Sequence, residues 1–166
     1  MKDKKSLNIE IRYDHVELGN MFESWVNVYN ALIESSEKIT DTNPLKEFEL
    51  RGVKHMLRGM AVESLLKTLA ISRGVKFFNK DGEFDKGYKK ISHNLVRLAN
   101  QLGIKLSEDE KKILFLLTDS IETGRYPIPV KEILQNRSWI VPTFEDAFYQ
   151  FLQKTIDIID SQIANS

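Results

Sequence analysis

One long stretch, residues 48–73, constrains the fold of this chain more than any other feature. Its sequence, FELRGVKHMLRGMAVESLLKTLAISR, repeats apolar side chains at helical spacing, and no proline interrupts them. This pattern predicts a long amphipathic helix with one apolar and one basic face. The predicted apolar face comprises Phe48, Val53, Met56, Leu57, Met60, Ala61, Leu65, Leu66 and Leu69. The predicted basic face comprises Arg51, Lys54, His55, Arg58 and Lys67.

Boundary signals place this helix second in the chain. The segment from Thr40 to Pro44 combines helix-capping residue types with a proline suited to a first helical turn, and Gly74 is a natural C-terminal cap. A first helix is predicted from about Asp14 to Ile39. Its seam consists of Leu18, Met21, Phe22, Trp25, Val28, Tyr29, Leu32 and Ile33.

Three further helices follow in the second half of the chain. A short one is predicted after an N-cap at Ser92 and ends at Gly103. Ser107 and Glu110 form a capping box that opens a fourth helix over about 108–123. Thr143 caps the last helix, from Phe144 to about Ala164. Its seam comprises Ala147, Phe148, Phe151, Leu152, Thr155, Ile158, Ile159, Gln162 and Ile163.

These elements predict an all-α fold, an up-and-down bundle of about five helices. Residues 14–166 form one domain, and residues 1–13 are an N-terminal arm, extended or a single edge strand. The chain shows no regular alternation of strands with helices, which argues against an α/β fold. Short connections favour antiparallel neighbours.

Composition excludes several classes of function. Among 166 residues, 24 Lys and Arg balance 24 Asp and Glu, so a globally basic nucleic-acid binder is not indicated, although a local basic face is compatible. The absence of cysteine excludes disulfides, thiolate zinc sites and cysteine nucleophiles. No apolar run approaches the roughly 20 residues of a membrane span, and the first residues do not resemble a signal peptide. We therefore expect a cytoplasmic protein without a membrane partner.

Histidine and glycine patterns give little sign of a cofactor. His15, His55 and His93 share no metal-ligand spacing, and no glycine-rich phosphate loop joins a strand to a helix. We expect neither a metal nor a cofactor. Arg51 and His55 share a helix face, where they either contact a phosphate or base or simply belong to a solvated basic surface.

Glu63 is an unusual residue in the long helix. It precedes Lys67 by four positions, an order that favours an intrahelical ion pair without any function. However, it also lies close to the apolar side, between Met60 and Leu66. A partly buried carboxylate at that position would need a partner such as Arg125.

Two short pieces each place a potential proton donor or a cation where a helix meets a loop: Ser92-His93-Asn94-Leu95 and Gly124-Arg125-Tyr126-Pro127. Histidine can transfer protons near neutral pH, and arginine can bind phosphate with two hydrogen bonds. Together they could hold, or cleave beside, a phosphodiester. The alternative is structural: His93 caps a helix, and Arg125 binds a loop carbonyl or Glu63.

At these residues the chain resembles the HEPN domain family. The segment from Ala61 to Lys67 is similar to the family's second-helix segment, and His93-Asn94-Leu95-x-x-Leu98 to its His-polar-Leu segment. Arg125-Tyr126-Pro127, followed by Glu145-Asp146-Ala147, resembles its closing segment. The resemblance implies a helical bundle that commonly homodimerises. It also implies either metal-independent RNase activity in defence and toxin–antitoxin systems or a non-catalytic RNA-, nucleotide- or partner-binding role.

The chain departs from the catalytic branch of that family. That branch carries an arginine followed by four to six residues and a histidine, whereas no histidine follows Arg125 here. The first hypothesis is therefore a non-catalytic module that dimerises and binds RNA, a nucleotide or a protein. Its predicted ligand-binding residues are Arg125, His93, Arg97, Lys89, Lys90 and Glu63.

Two alternatives remain open. One is a divergent metal-independent ribonuclease whose catalytic residues are His93, Arg125 and Tyr126. The other is a structural or regulatory subunit that binds a protein partner through apolar residues. Candidates for that surface are Trp139, Ile140, Phe77 and Phe78.

Overall fold

The computed structural model describes residues 19–40, 42–75, 93–124 and 144–164, and all regular elements there are helical. The helices are α1 (Gly19–Lys38), α2 (Pro44–Ser72), α3 (Leu95–Gln101), α4 (Glu108–Gly124) and α5 (Phe144–Ala164). For the described residues, the predicted all-α bundle of about five helices is confirmed. Within these ranges no helix has both the length and the apolar composition needed to cross a bilayer. The predicted arm at 1–13 lies outside the described residues.

Helix α2 is the central element of the bundle. It contacts α1, α3, α4 and α5, and every residue from Ala61 to Ile71 is buried. Three consecutive turns without an exposed side chain mean that neighbouring elements surround this half of the helix. The core around it consists of residues such as Tyr29, Leu65, Leu117 and Phe148.

Contacts along α2 fix the directions of its neighbours. Glu37 near the end of α1 contacts Arg58, whereas Trp25 near its start lies beneath Lys67, so α1 and α2 are antiparallel. Gly59 approaches α4 at Leu117 and Ile121, and Arg73 at the other end of α2 bonds the carbonyl of Leu102, shortly before α4 begins. Helices α2 and α4 therefore also run in opposite directions.

Glycine and capping residues end and begin the helices largely as the sequence predicts. Gly74 and Gly103 adopt φ values of 75° and 67°, and the amides beyond them bond carbonyls of the preceding turns. Glu110 accepts from the Ser107 amide and Ser107 accepts from the Glu110 amide, which confirms the capping box. The predicted N-cap of α3 at Ser92 is wrong: Asn94 is the N-cap, and its side chain accepts from the amide of Arg97.

Two assignments of helix faces are also wrong. Val28 and Val53, predicted to lie in apolar seams, are exposed, while Arg58 and Lys67, predicted to lie on a basic solvent face, are buried. For the two buried charges, the physical reason is the number of neighbouring helices. A helix packed on several sides buries residues outside its hydrophobic stripe, and buried charges are tolerated when partners neutralise them.

Candidate functional site

A carboxylate on the central helix joins two basic side chains at the junction of α2 and the start of α3. Glu63 Oε1 accepts from Lys67 Nζ at 2.6 Å, and Glu63 Oε2 lies 2.9 Å from His93 Nδ1. The side chains of Glu63 and Lys67 are each only 9% exposed. We call Glu63, Lys67 and His93 the Glu63 cluster. The predicted Glu63–Lys67 ion pair is confirmed, and His93 is a partner that the sequence did not assign to Glu63.

Lys67 is held from two directions. Besides Glu63, its ammonium group lies 4.4 Å from the ring centroid of Trp25 on α1, a cation–π contact. A buried ammonium needs such compensation, since burial of an unpaired charge is costly. Lys67 thus balances the charge of Glu63, and the carboxylate stays available to orient the imidazole.

The start of α3 places His93 beside Glu63. Asn94 caps the helix, and the amide of Leu95 donates to Thr118 Oγ1 on α4 at 3.1 Å. The Thr118 hydroxyl in turn donates to the carbonyl of Leu114 at 2.8 Å. These bonds tie the backbone next to His93 to α4. The position of His93 is therefore set by the packing of α3 on α4 as well as by the contact of its imidazole with Glu63.

The partner of Nδ1 determines the chemistry that His93 can offer. An ionised carboxylate can only accept hydrogen bonds, so beside an ionised Glu63 the Nδ1–H of His93 is the donor of this hydrogen bond. The His93 side chain is 37% exposed, which makes it accessible from solvent. With its Nδ1–H directed at Glu63, Nε2 accepts a hydrogen bond in the neutral ring and donates one in the imidazolium, so His93 is suited either to proton transfer or, when protonated, to a hydrogen bond with a phosphate. The structural alternative in which His93 caps α3 is wrong, because Asn94 does so.

The structure describes three of the residues predicted to bind a ligand. It brings Glu63 and His93 together, and it places Arg97 in the first turn of α3 with an exposed side chain. The other predicted site residues lie outside the described residues: Lys89, Lys90, Arg125 and Tyr126. The same holds for His15 and for the apolar candidates Phe77, Phe78, Trp139 and Ile140.

A second charge cluster, which the sequence did not reveal, surrounds Arg58. Its guanidinium donates to Glu145 through two bonds of 2.7 and 3.0 Å, to Glu37 at 2.7 Å and to the Tyr149 hydroxyl at 3.2 Å. The Arg58 side chain is 1% exposed, and its Cζ lies 4.7 Å from the ring centroid of Phe148. We call Arg58, Glu37, Glu145 and Tyr149 the Arg58 cluster. It joins α1, α2 and α5.

Ionisation within the Arg58 cluster follows from these contacts. Burial alone would raise the pKa of Glu37, but the hydrogen bond and the charge of Arg58 lower it below its usual value. Burial would lower the pKa of Arg58, yet the bonds to Glu145 and Glu37 raise it. Burial also raises the pKa of Tyr149, so the phenol stays protonated. One permanent cation therefore lies between two carboxylates.

His55 borders the Arg58 cluster on α2. Its ring stacks on Phe144 with centroids 4.8 Å apart and planes 25° apart. Burial lowers the pKa of His55 to about 4, and the nearby charges of Arg58 and Arg51 add to the effect. His55 is therefore neutral near pH 7. Arg51 and His55 lie four residues apart on α2, as the sequence predicts, but the His55 ring packs against Phe144 of α5.

Neither cluster resembles a metal centre. Among the described residues, no three or more His, Asp or Glu side chains are grouped so that they could hold a metal ion. Comparisons with protein-family models, with curated proteins and with solved structures find no match for this chain. The function of the chain is therefore inferred from the geometry of its own residues.

Proposed function

We propose that this protein is a non-catalytic, HEPN-like helical module that binds the phosphates of RNA or a nucleotide at His93 and Arg97. The supporting observation is the Glu63–His93 hydrogen bond of 2.9 Å between α2 and the start of α3. It holds an accessible imidazole in one orientation while Lys67 neutralises the carboxylate behind it. A ligand phosphate therefore meets a histidine that donates from Nε2 when protonated and whose neighbouring negative charge is balanced.

Arg97 supplies the permanent positive charge of the proposed site. It lies four residues after His93, on the exposed side of a helix whose buried residues are Leu95, Leu98 and Ala99. Arginine binds phosphate through a planar fork of donors, which a histidine cannot do. Lys89, Lys90 and Arg125 are further proposed ligands. Homodimerisation, a protein partner and a role in a defence or toxin–antitoxin system belong to the same proposal.

The test is a fluorescence anisotropy titration with a short labelled single-stranded RNA in EDTA. We expect binding that weakens with salt, since each phosphate contact contributes a slope of about −0.7 in log K against log salt. His93→Ala and Arg97→Ala should each weaken binding about tenfold, the equivalent of roughly 1.4 kcal/mol. Lys112→Ala is the matched control, because it removes an exposed cation of α4 that pairs with Asp109.

Two results would contradict the binding proposal. One is the absence of binding both to RNA and to nucleotides. The other is binding that His93→Ala and Arg97→Ala weaken no more than Lys112→Ala. The second result would move the site away from α3, whatever the affinity of the wild-type protein.

A ribonuclease is the second candidate, and the same hydrogen bond favours it. A carboxylate that orients an imidazole is a recurrent arrangement in general acid–base catalysis, where it fixes the tautomer that exchanges protons. In this version His93 transfers the proton, and Arg125 and Tyr126 complete the site. A time course with labelled RNA in EDTA decides: cleavage by wild type that His93→Ala and Arg125→Ala both lose supports the enzyme. Cleavage that both variants retain, or the absence of cleavage by the wild type, contradicts the ribonuclease hypothesis.

A further inference from the structure

The contacts around His55 concern the start of the last helix and do not depend on the proposed binding site. Phe144, the first residue of α5, stacks on His55 at 4.8 Å and on Phe148 at 5.8 Å. Arg58 lies 5.7 Å from the Phe144 centroid and 4.7 Å from that of Phe148. The first turns of α5 thus rest on one imidazole and one guanidinium, both from α2.

Cations outnumber carboxylates around His55 among the described residues. The charged groups there that face His55, or face its neighbour Arg58, are Arg51, Lys54 and Arg58 on α2, Glu145 on α5 and Glu37 on α1. Glu145 and Glu37 both bond the guanidinium of Arg58. A proton added to His55 would therefore create a cation among three others, next to carboxylates that already have a partner.

We propose that His55 and the Arg58 cluster form an acid-operated latch on the start of α5. At neutral pH the neutral imidazole stacks on Phe144, and Arg58 holds Glu145 with two bonds. Protonation of His55 adds a further cation beside Arg58, Arg51 and Lys54 and favours release of the first turns of α5 from α2. In the open state the His55 imidazole is hydrated, so it binds a proton as tightly as an ordinary exposed histidine does.

The pKa values set the direction and the upper limit of the effect. A group with a depressed pKa in the closed state favours the open state as pH falls, because the open state binds the proton more tightly. A shift of the His55 pKa from 6.5 to about 4 permits the equilibrium constant for opening of α5 to change by up to about 300-fold between those two pH values. Between about pH 7.5 and about pH 5.5, the same linkage permits about a tenfold increase.

Hydrogen exchange of the full chain by NMR tests the latch. The amides of Phe148 to Phe151 report on α5, and those of Val26 to Tyr29 report on α1. After correction for the intrinsic exchange rates, opening at α5 should rise about tenfold between about pH 7.5 and about pH 5.5, with a smaller rise in α1. Equal rises in the two helices, or no rise in α5, would overturn the proposal.

Two variants distinguish the latch from general acid destabilisation. His55→Phe keeps a ring for Phe144 but cannot be protonated, so α5 should lose its acid response. Lys54→Gln removes one cation near His55, so the pKa of His55 in the closed state should rise and the total acid response should become smaller. An unchanged response in His55→Phe would overturn the proposal. If that variant does not fold, NMR titration of the His55 ring in the wild type decides, and a pKa near 6.5 would overturn it.

Discussion

The two buried charge clusters of α2 have opposite arrangements of charge. In the Glu63 cluster one carboxylate lies between two basic side chains, whereas in the Arg58 cluster one cation lies between two carboxylates. The Arg58 cluster joins three helices around a guanidinium that is 1% exposed. The Glu63 cluster instead ends at an imidazole that is 37% exposed. The Arg58 cluster is suited to holding helices together, and the Glu63 cluster is suited to presenting a side chain to a ligand.

The number of compensating partners also differs. Arg58 keeps one carboxylate if the other is lost, because Glu37 and Glu145 come from different helices. The Glu63 cluster contains one anion, so its loss leaves both Lys67 and His93 without that partner. Removal of one partner of a buried ion pair is strongly destabilising, because it leaves the other charge uncompensated. The two clusters should therefore respond unequally to loss of a carboxylate.

Glu63→Gln should have the largest effect on stability. It removes the carboxylate that neutralises buried Lys67, and we expect a loss of about 3 kcal/mol in the free energy of unfolding. Urea unfolding followed by circular dichroism measures it. The double variant Glu63→Gln/Lys67→Met removes both charges and should recover part of the loss. A cost below about 0.5 kcal/mol for Glu63→Gln would mean that Lys67 does not depend on Glu63.

Gly59→Ala should have the next largest effect, because Gly59 lies between the two clusters and lets α4 approach α2. An added Cβ would lie 2.8 Å from the backbone oxygen of Leu117 and 2.8 Å from Ile121 Cγ1. We expect a loss of about 2 kcal/mol from overpacking, measured by urea unfolding. Gly52→Ala in the same helix is the matched control.

The control predicts a change of opposite sign. A Cβ at Gly52 meets nothing within 4 Å, so alanine should stabilise the protein by about 0.5 to 1 kcal/mol through helix propensity. Equal effects of Gly59→Ala and Gly52→Ala would show that α4 is not packed closely on α2 at Gly59.

Glu145→Gln should have a smaller effect than Glu63→Gln. Glu145 is 59% exposed, and Glu37 continues to neutralise Arg58, so we expect a loss of about 1.5 kcal/mol from the weakened bidentate contact. Glu108→Gln controls for acidic residues in a first helical turn, since Glu108 is exposed and pairs only with Lys111 among the contacts described. Its unfolding midpoint should stay near that of wild type. A larger loss in Glu145→Gln than in Glu63→Gln would reverse the comparison.

Local sequence signals predicted most of the fold. Helical periodicity and capping residues place α2 between Pro44 and Gly74, and the Ser107–Glu110 box opens α4. These signals act within one turn, so the sequence shows them directly. The same holds for the Glu63–Lys67 pair, which is set by i,i+4 spacing.

The Arg58 cluster could not be predicted in this way. Glu145 lies 87 residues from Arg58 in the chain, and no local pattern relates the two. Arg58 was expected at the surface because helix patterns assign charged residues to solvent. The Glu63–His93 contact was missed for a similar reason. Both residues were predicted to be in the site, but the pairing spans 30 residues and depends on how α3 packs on α4.

One binding experiment tests the division between the clusters most directly. The affinity of labelled single-stranded RNA should be measured side by side for wild type, His93→Ala and Glu145→Gln, under conditions where circular dichroism shows all three folded. We predict that His93→Ala weakens binding about tenfold, whereas Glu145→Gln binds as wild type does. Equal affinity in His93→Ala and wild type, or a loss confined to Glu145→Gln, would contradict the assignment of ligand binding to the Glu63 cluster.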